Sequence, residues 1–324
     1  MQKLLRIGTR DSQLAVWQAT LVQNLLRDAG VASELVYMKS EGDIDTITPL
    51  YAIGVTGVFT KTLDAALLNN RIDIAVHSMK DVPVQLAQGI QPAAVLKRAS
   101  SKDILVYKSE KDLEAFGYKN GTWNDPLSSE KMIIGTGSIR RIAQWLHRYP
   151  HHKVENLRGN VNTRLRKLEE NDWNGAIFAA AGLERIGLRP ENSINLDWML
   201  PAPAQGAILV VCRENDDIAY QSCQSFHDED TAICTKIERD FLSALMGGCS
   251  TPISALAKFQ ESKIHFEGNI VSPDGKQKVE IQKTVSLSEA NNLGELAAKE
   301  ILLKGGQSLV DQFRKKGMTT DGED

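Results

Sequence analysis

The residues best able to do chemistry gather at four places. Gly135-Thr136-Gly137-Ser138-Ile139-Arg140-Arg141 reads as a strand end, a glycine turn and a helix start, with Ser138 at the cap position. The free N–H groups and positive dipole end of such a helix already favour an anion. Arginines in the first turn oppose that dipole. Two of them there call for an anion to neutralise them, unless both are solvated surface side chains. Leu157-Arg158-Gly159-Asn160-Val161-Asn162-Thr163-Arg164 repeats the arrangement, and Arg185 follows the next strand in AAAGLERIG. A guanidinium meets carboxylates or phosphates two bonds at a time, so five arginines at loop ends of one lobe point to a polyanionic ligand. Neither G-x-x-x-x-G-K-[ST] nor G-x-G-x-x-G is present, so no motif signals a nucleotide.

The third place is His77-Ser78-Met79-Lys80-Asp81-Val82-Pro83. An acid beside a lysine at a strand's carboxyl end can carry a proton or stabilise a cation; the competing reading is a capping aspartate paired with its neighbour. His77 alone reads as a core histidine. The fourth is Gly247-Gly248-Cys249-Ser250-Thr251-Pro252. Two glycines let the backbone approach a neighbour closely, and a loop thiol is open to deprotonation and attack. With no acid or base beside it, Cys249 suits a covalent anchor at least as well as a turnover nucleophile; a packed thiol is the plain alternative. Cys212, Cys223 and Cys234 read as small buried hydrophobes, and the four cysteines form neither a C-x-x-C site nor a disulfide framework. His151-His152 has no third ligand at a useful spacing, so no metal is assigned.

Elements must bring these places together. KLLRIGTR reads as a strand, followed by a helix that Asp11 or Ser12 can cap, with Leu14, Trp17, Gln18, Leu21, Val22 and Leu25 on one face. SELVYMK, a helix from Phe59 to Asn70, and a strand through Ile72, Ile74 and Val76 continue the alternation. Strand-helix repetition implies a parallel, doubly wound sheet with ligands at the carboxyl ends of its strands, which brings Arg10, Asp11 and Ser12 to the same crevice as His77, Ser78, Lys80 and Asp81. A second unit of the same style runs from KMIIGTGS to GAIFAAA. The glycine- and proline-bearing stretch from Ser109 to Glu130 reads as a surface excursion. Past Cys223 come a helix from Asp230 to Met246, the strands KIHFEGNIV and KVEIQKTVSL around a Ser272-Pro273-Asp274-Gly275 turn, a helix from Ser288 to Lys304, and a frayed acidic tail. The expected fold is α/β: two doubly wound lobes resembling type II periplasmic binding proteins, plus a smaller α+β C-terminal domain.

With 324 residues, 42% hydrophobic and 24% charged, the chain is neither disordered nor too small for real cores. No apolar run approaches the ~20 residues of a membrane span, and MQKLLRIGTRDSQ lacks a signal peptide's apolar region. The expectation is a cytoplasmic protein without a membrane partner. The net charge of -3 is not that of a nucleic-acid binder. The stretch from Arg140 to Arg166, however, holds seven Lys and Arg residues against Glu155 alone, which again suggests a local anionic ligand.

The segments RIGTRDSQLAVWQA, FTKTLDAALL, DIAVHSMKDVP, IGTGSIRR, LRGNVNTRLRKL, AAAGLERIGL, PAQGA and GGCSTPI together resemble one family closely, porphobilinogen deaminase, also called hydroxymethylbilane synthase. They stand in the family's order and reach to about residue 255. The resemblance implies three domains, here 1–104 with 205–224, 105–204, and 228–324. It implies a transferase that joins four porphobilinogen molecules head to tail, with loss of ammonia, to give hydroxymethylbilane in haem biosynthesis. It implies a dipyrromethane cofactor held by a thioether on Cys249, and Asp81 as the catalytic aspartate. Arg10, Ser12, Ser78, Lys80, Thr136, Ser138, Arg140, Arg141, Arg158, Arg164, Arg185 and Gln205 match positions that contact the cofactor or the growing chain. The family also suggests a monomer. Each pyrrole carries an acetate and a propionate, which explains an arginine crevice in an acidic protein.

The sequence departs from the family at Ala52 and Thr56, where many members carry lysines, at Gly137, where serine is common, and at Asn162, where glycine is common. The rival readings are a two-lobed small-anion-binding module without catalysis, a nucleic-acid binder using Trp145 and Tyr149 for stacking, and a cysteine transferase or hydrolase with a freely reactive Cys249.

Overall fold

A computed structural model describes residues 4–39, 60–124, 131–245 and 251–315. The chain opens with β1 (Leu5–Arg10), α1 (Gln13–Asp28), β2 (Ser33–Met38), α2 (Lys61–Leu68) and β3 (Ile74–Ser78). A single 3-10 turn, Met79–Asp81, and β4 (Ile90–Val95) follow. It then crosses to β5 (Asp103–Tyr107), α3 (Glu110–Ala115), the hairpin β6 (Tyr118–Lys119) and β7 (Thr122–Trp123), β8 (Ile133–Gly135), α4 (Ile139–Arg148), β9 (Lys153–Glu155), α5 (Val161–Glu170), β10 (Gly175–Ala179), α6 (Ala180–Arg185) and β11 (Ser193–Asn195). β12 (Ile208–Arg213) and α7 (Asp217–Cys223) return to the first sheet.

The two five-stranded sheets share one plan. Their orders are β2-β1-β3-β12-β4 and β9-β8-β10-β5-β11. In each, three parallel strands are followed by an antiparallel strand that the chain enters just after crossing between sheets. The sheets expected to be parallel are therefore mixed. Parallel neighbours require crossover helices, and these cover both faces. Ile74, Val76 and Val210 pack with Ala19, Val22 and Leu26 of α1, whereas Ala75, Leu209 and Val211 pack with Leu63, Ala66 and Leu67 of α2. The second sheet alternates likewise. Leu105 and Ile177 face Phe116 and Trp145, while Ile104, Val106 and Phe178 face Leu168 and Trp173. Strands buried on both faces read as continuous apolar runs.

The stretch from Ser109 is not a surface excursion in its described part. Ser109 caps α3 by accepting from the Asp112 N–H at 3.2 Å. Phe116 is fully buried, edge-on to Trp145 at 5.4 Å between ring centres. Residues 125–130 lie outside the described residues.

The last unit begins with α8 (Glu229–Ala244), followed by an antiparallel sheet of β13 (Ile253–Gln260), β14 (Lys263–Val271) and β15 (Lys278–Ser286), then α9 (Leu293–Ile301) and α10 (Gln307–Lys315). Its core joins Phe241, Phe266, Ile301 and Phe313. The expected helix from Ser288 to Lys304 is broken. Leu287–Glu289 forms a separate turn, and Gly305 at φ 104° ends the regular helix. The tail from residue 316 lies outside the described residues.

One buried charge ties the first sheet together. Asp73 accepts from the Arg6 backbone N–H and Nε, each at 2.9 Å, and from Arg213 Nη2 at 3.2 Å. Its side chain is 0% exposed, and removing it takes the carboxylate from Arg6 and leaves Arg213 to Asp216 and the Leu67 and Ile72 carbonyls. Breaking such a pair costs about 3–5 kcal/mol, and Arg6 is 33% exposed, which favours the lower end. Asp73→Ala should therefore lose about 3 kcal/mol, read as a lower urea midpoint.

Candidate active site

The site is built where the carboxyl end of β3 meets the amino end of β5. β3 is the buried central strand of the first sheet, and at its carboxyl end the Met79 N–H donates to the Ala207 carbonyl at 3.0 Å. The turn that follows holds Lys80 and Asp81. Lys80 Nζ donates to Gln205 Oε1 at 3.2 Å. Gln205 is fully buried, and its amide nitrogen donates to the Ser101 carbonyl at 2.8 Å and to Asp103 Oδ1 at 3.0 Å. Those two acceptors fix its orientation, leaving the oxygen for Lys80. The backbone there is shaped by need: Gly206 has φ 91°, and a Cβ on it would come within 2.6 Å of the Ser100 carbonyl oxygen.

Asp103, absent from the sequence candidates, is the hub. Arg141 reaches its Oδ1 through Nη2 at 2.7 Å and Nε at 3.1 Å, and Arg140 Nη2 lies 2.7 Å from Oδ2. Burial works to raise its pKa, but Arg140, Arg141, Lys80 and the Gln205 bond outweigh it and hold the carboxyl at about 2. The anion that two first-turn arginines require is thus supplied by the protein. Both arginines are buried, Arg141 also donating to the Ile177 carbonyl at 2.9 Å and Arg140 to that of Leu200 at 2.8 Å. They are not solvated surface side chains. The available signal was an acid opening the apolar run DILVY.

Around this hub the sheets approach each other. Arg164 donates from Nε to the Gly159 carbonyl at 2.7 Å, and its pKa is lowered to about 10 by burial, then by Arg141, with Asp81 of the other sheet pulling it up. Lys80 is lowered to about 8, chiefly by burial, with Asp81 opposing and Arg141 reinforcing. Arg185 donates to the Gly206 carbonyl at 2.7 Å and stands 5.8 Å from the Trp17 ring centre, and burial lowers it to about 10. Asn162, placed where glycine is common, donates to Gln13 Oε1 at 3.0 Å and bridges the lobes. Ser78 exchanges hydrogen bonds with Gln18 at 2.9 and 3.3 Å.

Ser12 and Ser138 occupy the N-cap positions of α1 and α4, but neither hydroxyl makes the cap bond, whereas Asn160 caps α5 from Oδ1 at 2.9 Å. The Ser138 N–H donates instead to Thr136 Oγ1 at 3.3 Å. Thr136 and Arg158 are buried beside them, and Arg158 also depresses Arg164. Gly137 has a structural reason, since a Cβ there would lie 2.7 Å from the Leu157 carbonyl oxygen.

Cys212, Cys223 and Cys234 are buried, and burial pushes their thiols up to about 11, 12 and 11. His152 stacks on Tyr149 at 4.8 Å, and no cluster able to hold a metal ion occurs among the described residues. Cys249 with its two glycines, and Ala52 and Thr56, lie outside the described residues.

Lys80, Arg140, Arg141, Arg158 and Arg164 thus share one electrostatic neighbourhood with the carboxylates of Asp81 and Asp103, and Arg10 acts on His77 near the end of β3. Positive charge is in surplus at the mouth of two sheets. Two family descriptions match this chain: "Porphobilinogen deaminase, dipyromethane cofactor binding domain" over residues 5–221, and "Porphobilinogen deaminase, C-terminal domain" over residues 232–303. The chain belongs to the porphobilinogen deaminase family. It is 38% identical over 318 residues to the porphobilinogen deaminase of Acidithiobacillus ferrooxidans, covering 97% of this chain and 99% of that one. It is 39% identical over 322 residues to the chloroplastic enzyme of Oryza sativa subsp. japonica, covering 96% and 87%. A nutrient-binding protein from Burkholderia cenocepacia bound to methionine shows a likeness at TM-score 0.40 and 15% identity, over 69% of this chain and 95% of that one. The family's activity is hydroxymethylbilane synthase, a transferase of tetrapyrrole biosynthesis that uses a dipyrromethane cofactor.

His77, just before the site, is buried and lowered to about 4 by burial first and the Arg10 charge second. Between its ordinary 6.5 and about 4, the unfolded chain takes up a proton that the folded chain refuses. Stability therefore falls as pH drops through that window, by roughly 3 kcal/mol at most. His77→Gln should flatten the fall in melting temperature across the window. Part of the slope will persist through His152, also lowered to about 4.

Proposed function

We propose that Asp81 and the cation cluster facing it carry out the head-to-tail condensation of four porphobilinogen molecules, with release of four ammonia molecules and uptake of one water as the terminal hydroxyl, to give hydroxymethylbilane. The supporting observation is a continuous run of groups, joined by charge or by hydrogen bonds through the neutral amide of Gln205, from Asp81 through Lys80 and Asp103 to Arg141 and Arg164, with cations in excess. A ligand rich in carboxylates relieves that excess, and a dipyrromethane, with acetate and propionate arms, fits it. Bound by a thioether at Cys249, it would supply the acceptor ring and keep the growing chain tethered.

The protein's own residues then divide the work. Arg10, Arg158, Arg164 and Arg185 bind carboxylate arms by charge-assisted bonds, and Arg140 and Arg141, paired with Asp103, add the positive field that draws those arms in. Ser12, Ser78, Thr136 and Ser138 add hydroxyls, and the uncapped amino ends of α1 and α4 add N–H groups. Lys80 and Gln205 span the two sheets and hold the carboxylate-binding groups in register. When ammonia leaves porphobilinogen, its carbon and ring nitrogen share a positive charge. The Asp81 carboxylate neutralises that charge and accepts the proton lost from the ring carbon as the new carbon–carbon bond forms.

The chain divides into 1–104 with 205–224, 105–204 and 228–324, and acts as a cytoplasmic monomer without nucleic-acid or membrane partners. In support, Arg140, Arg141 and Arg158 of the basic stretch are buried rather than displayed to a strand.

Intact mass of the purified protein should show an addition of two condensed porphobilinogen units that peptide mapping locates on Cys249. Cys249→Ala should show none. An unmodified chain after incubation with porphobilinogen would leave a two-lobed anion-binding module as the account. Asp81→Asn should keep the adduct and porphobilinogen binding but lower kcat by about 10²–10³, the size of lost charge stabilisation at a reacting centre.

A further inference from the structure

The turn carrying Asp81 is too short to hold itself. Met79–Asp81 is one 3-10 turn, closed by the Val82 N–H on the Met79 carbonyl at 3.2 Å. Carbonyls at the end of so short a helix have no following turn to donate to them, and Pro83 has no N–H to continue one. The donor comes from elsewhere. Arg239, in the middle of α8, reaches the carbonyls of Met79 at 3.4 Å and Val82 at 3.0 Å through Nη1, and that of Pro83 at 2.5 Å through Nη2. One planar guanidinium thereby brackets Asp81 on both sides along the chain.

The helix presenting Arg239 is itself pinned. Glu238, its neighbour, is fully buried and takes a two-pronged bond from Arg98 at 2.5 and 3.1 Å. It also accepts from the N–H groups of Ala204 at 2.6 Å and Ala257 at 2.7 Å. Ala204, next to Gln205, has φ 61°, a conformation that a non-glycine residue keeps only when its surroundings impose it. In the sequence Cys249 follows Arg239 by ten residues.

We propose that Arg239 is a positioning residue for the condensation. Its guanidinium fixes the Met79–Pro83 turn, so that the Asp81 carboxylate keeps one place relative to α8. The proposal rests on the role given to Asp81 above. A lysine at this position could satisfy one carbonyl but not bracket the turn, because its ammonium is a point donor rather than a planar fork.

The test uses cofactor-loaded Arg239→Met and Arg239→Lys, each measured by steady-state kinetics, amide hydrogen exchange of the 78–84 segment, and melting temperature. Displacing a reacting group by about 1 Å costs on the order of a hundredfold. Arg239→Met should therefore lower kcat by roughly thirtyfold to a hundredfold with KM changed less than about threefold. The Met79 and Val82 amides should exchange at least about tenfold faster while the strands of the first sheet do not. Arg239→Lys should fall between, and in an Asp81→Asn background Arg239→Met should cost nothing further. Unchanged exchange at 79–82, an unchanged kcat, or equal losses in the two Asp81 backgrounds would overturn the proposal. If Arg239→Met does not fold, Arg239→Lys decides by the same readouts. If Asp81→Asn alone keeps full activity, the reading of Asp81 fails, and the exchange rates still judge the hold of Arg239 on the turn.

Discussion

The carboxylate of Asp103 is the charge on which the site depends. It sits at the start of β5, fully buried, with Arg140, Arg141 and Gln205 bonded to it and Lys80 attached through Gln205. An isolated carboxylate so placed would take up a proton rather than stay charged. Three nearby cations keep it ionised instead. In return it allows two arginines to lie in the first turn of α4, where the helix dipole opposes them. The arrangement contributes little net stability, since buried ion pairs roughly offset their own desolvation. Its effect is geometric: a segment of each sheet and the crossing segment between them are held to one set of distances.

The two sheets make that meeting possible. Each places three parallel strands beside an antiparallel one entered from the other lobe, so both crossings run along the same seam. Ser101 and Asp103 lie on one crossing, and Ala204, Gln205 and Gly206 on the other. The β-strand ends that carry Lys80, Asp81 and Thr136 open onto that seam. Positive charge accumulates there because neighbouring strand ends and helix starts all deliver arginines to it. The lowered values of Lys80, Arg164 and Arg185 express the cost of crowding and burying those charges.

The third unit reaches into the same seam by one helix. α8 buries Phe241 and Leu242 in its own core, while Glu238 and Arg239 grip a crossing segment and the Asp81 turn. The third unit also meets the second lobe, where Gln144 donates to Ser254 at 2.9 Å and His147 bonds the Gly275 carbonyl at 2.7 Å. The helix that carries Arg140 and Arg141 is therefore braced against the unit that carries the cysteine.

Much of this was legible in the amino-acid order. Periodicity marked α1, α2, α4, α5 and the parallel strands, because each buries one face or both. Arginines beside glycine turns announced a polyanion site, and the ordered segments from RIGTRDSQLAVWQA to GGCSTPI pointed to the family. Short pieces were not legible. β4 contains Pro92, β11 has three residues and α3 six, too few to establish a period. Phe116 looked like part of a loop because its partners, Trp145 and Tyr149, are about thirty residues away. Which arginines answer to Asp103, and that Arg239 holds the turn of Asp81, was decided by tertiary structure alone. Ion pairs and side-chain bonds to backbone carbonyls span 38 and 157 residues here, and no local pattern encodes a distance closed only when three units pack together. The sequence by itself determined which charges the protein carries and which elements present them; the fold decided which of those charges meet.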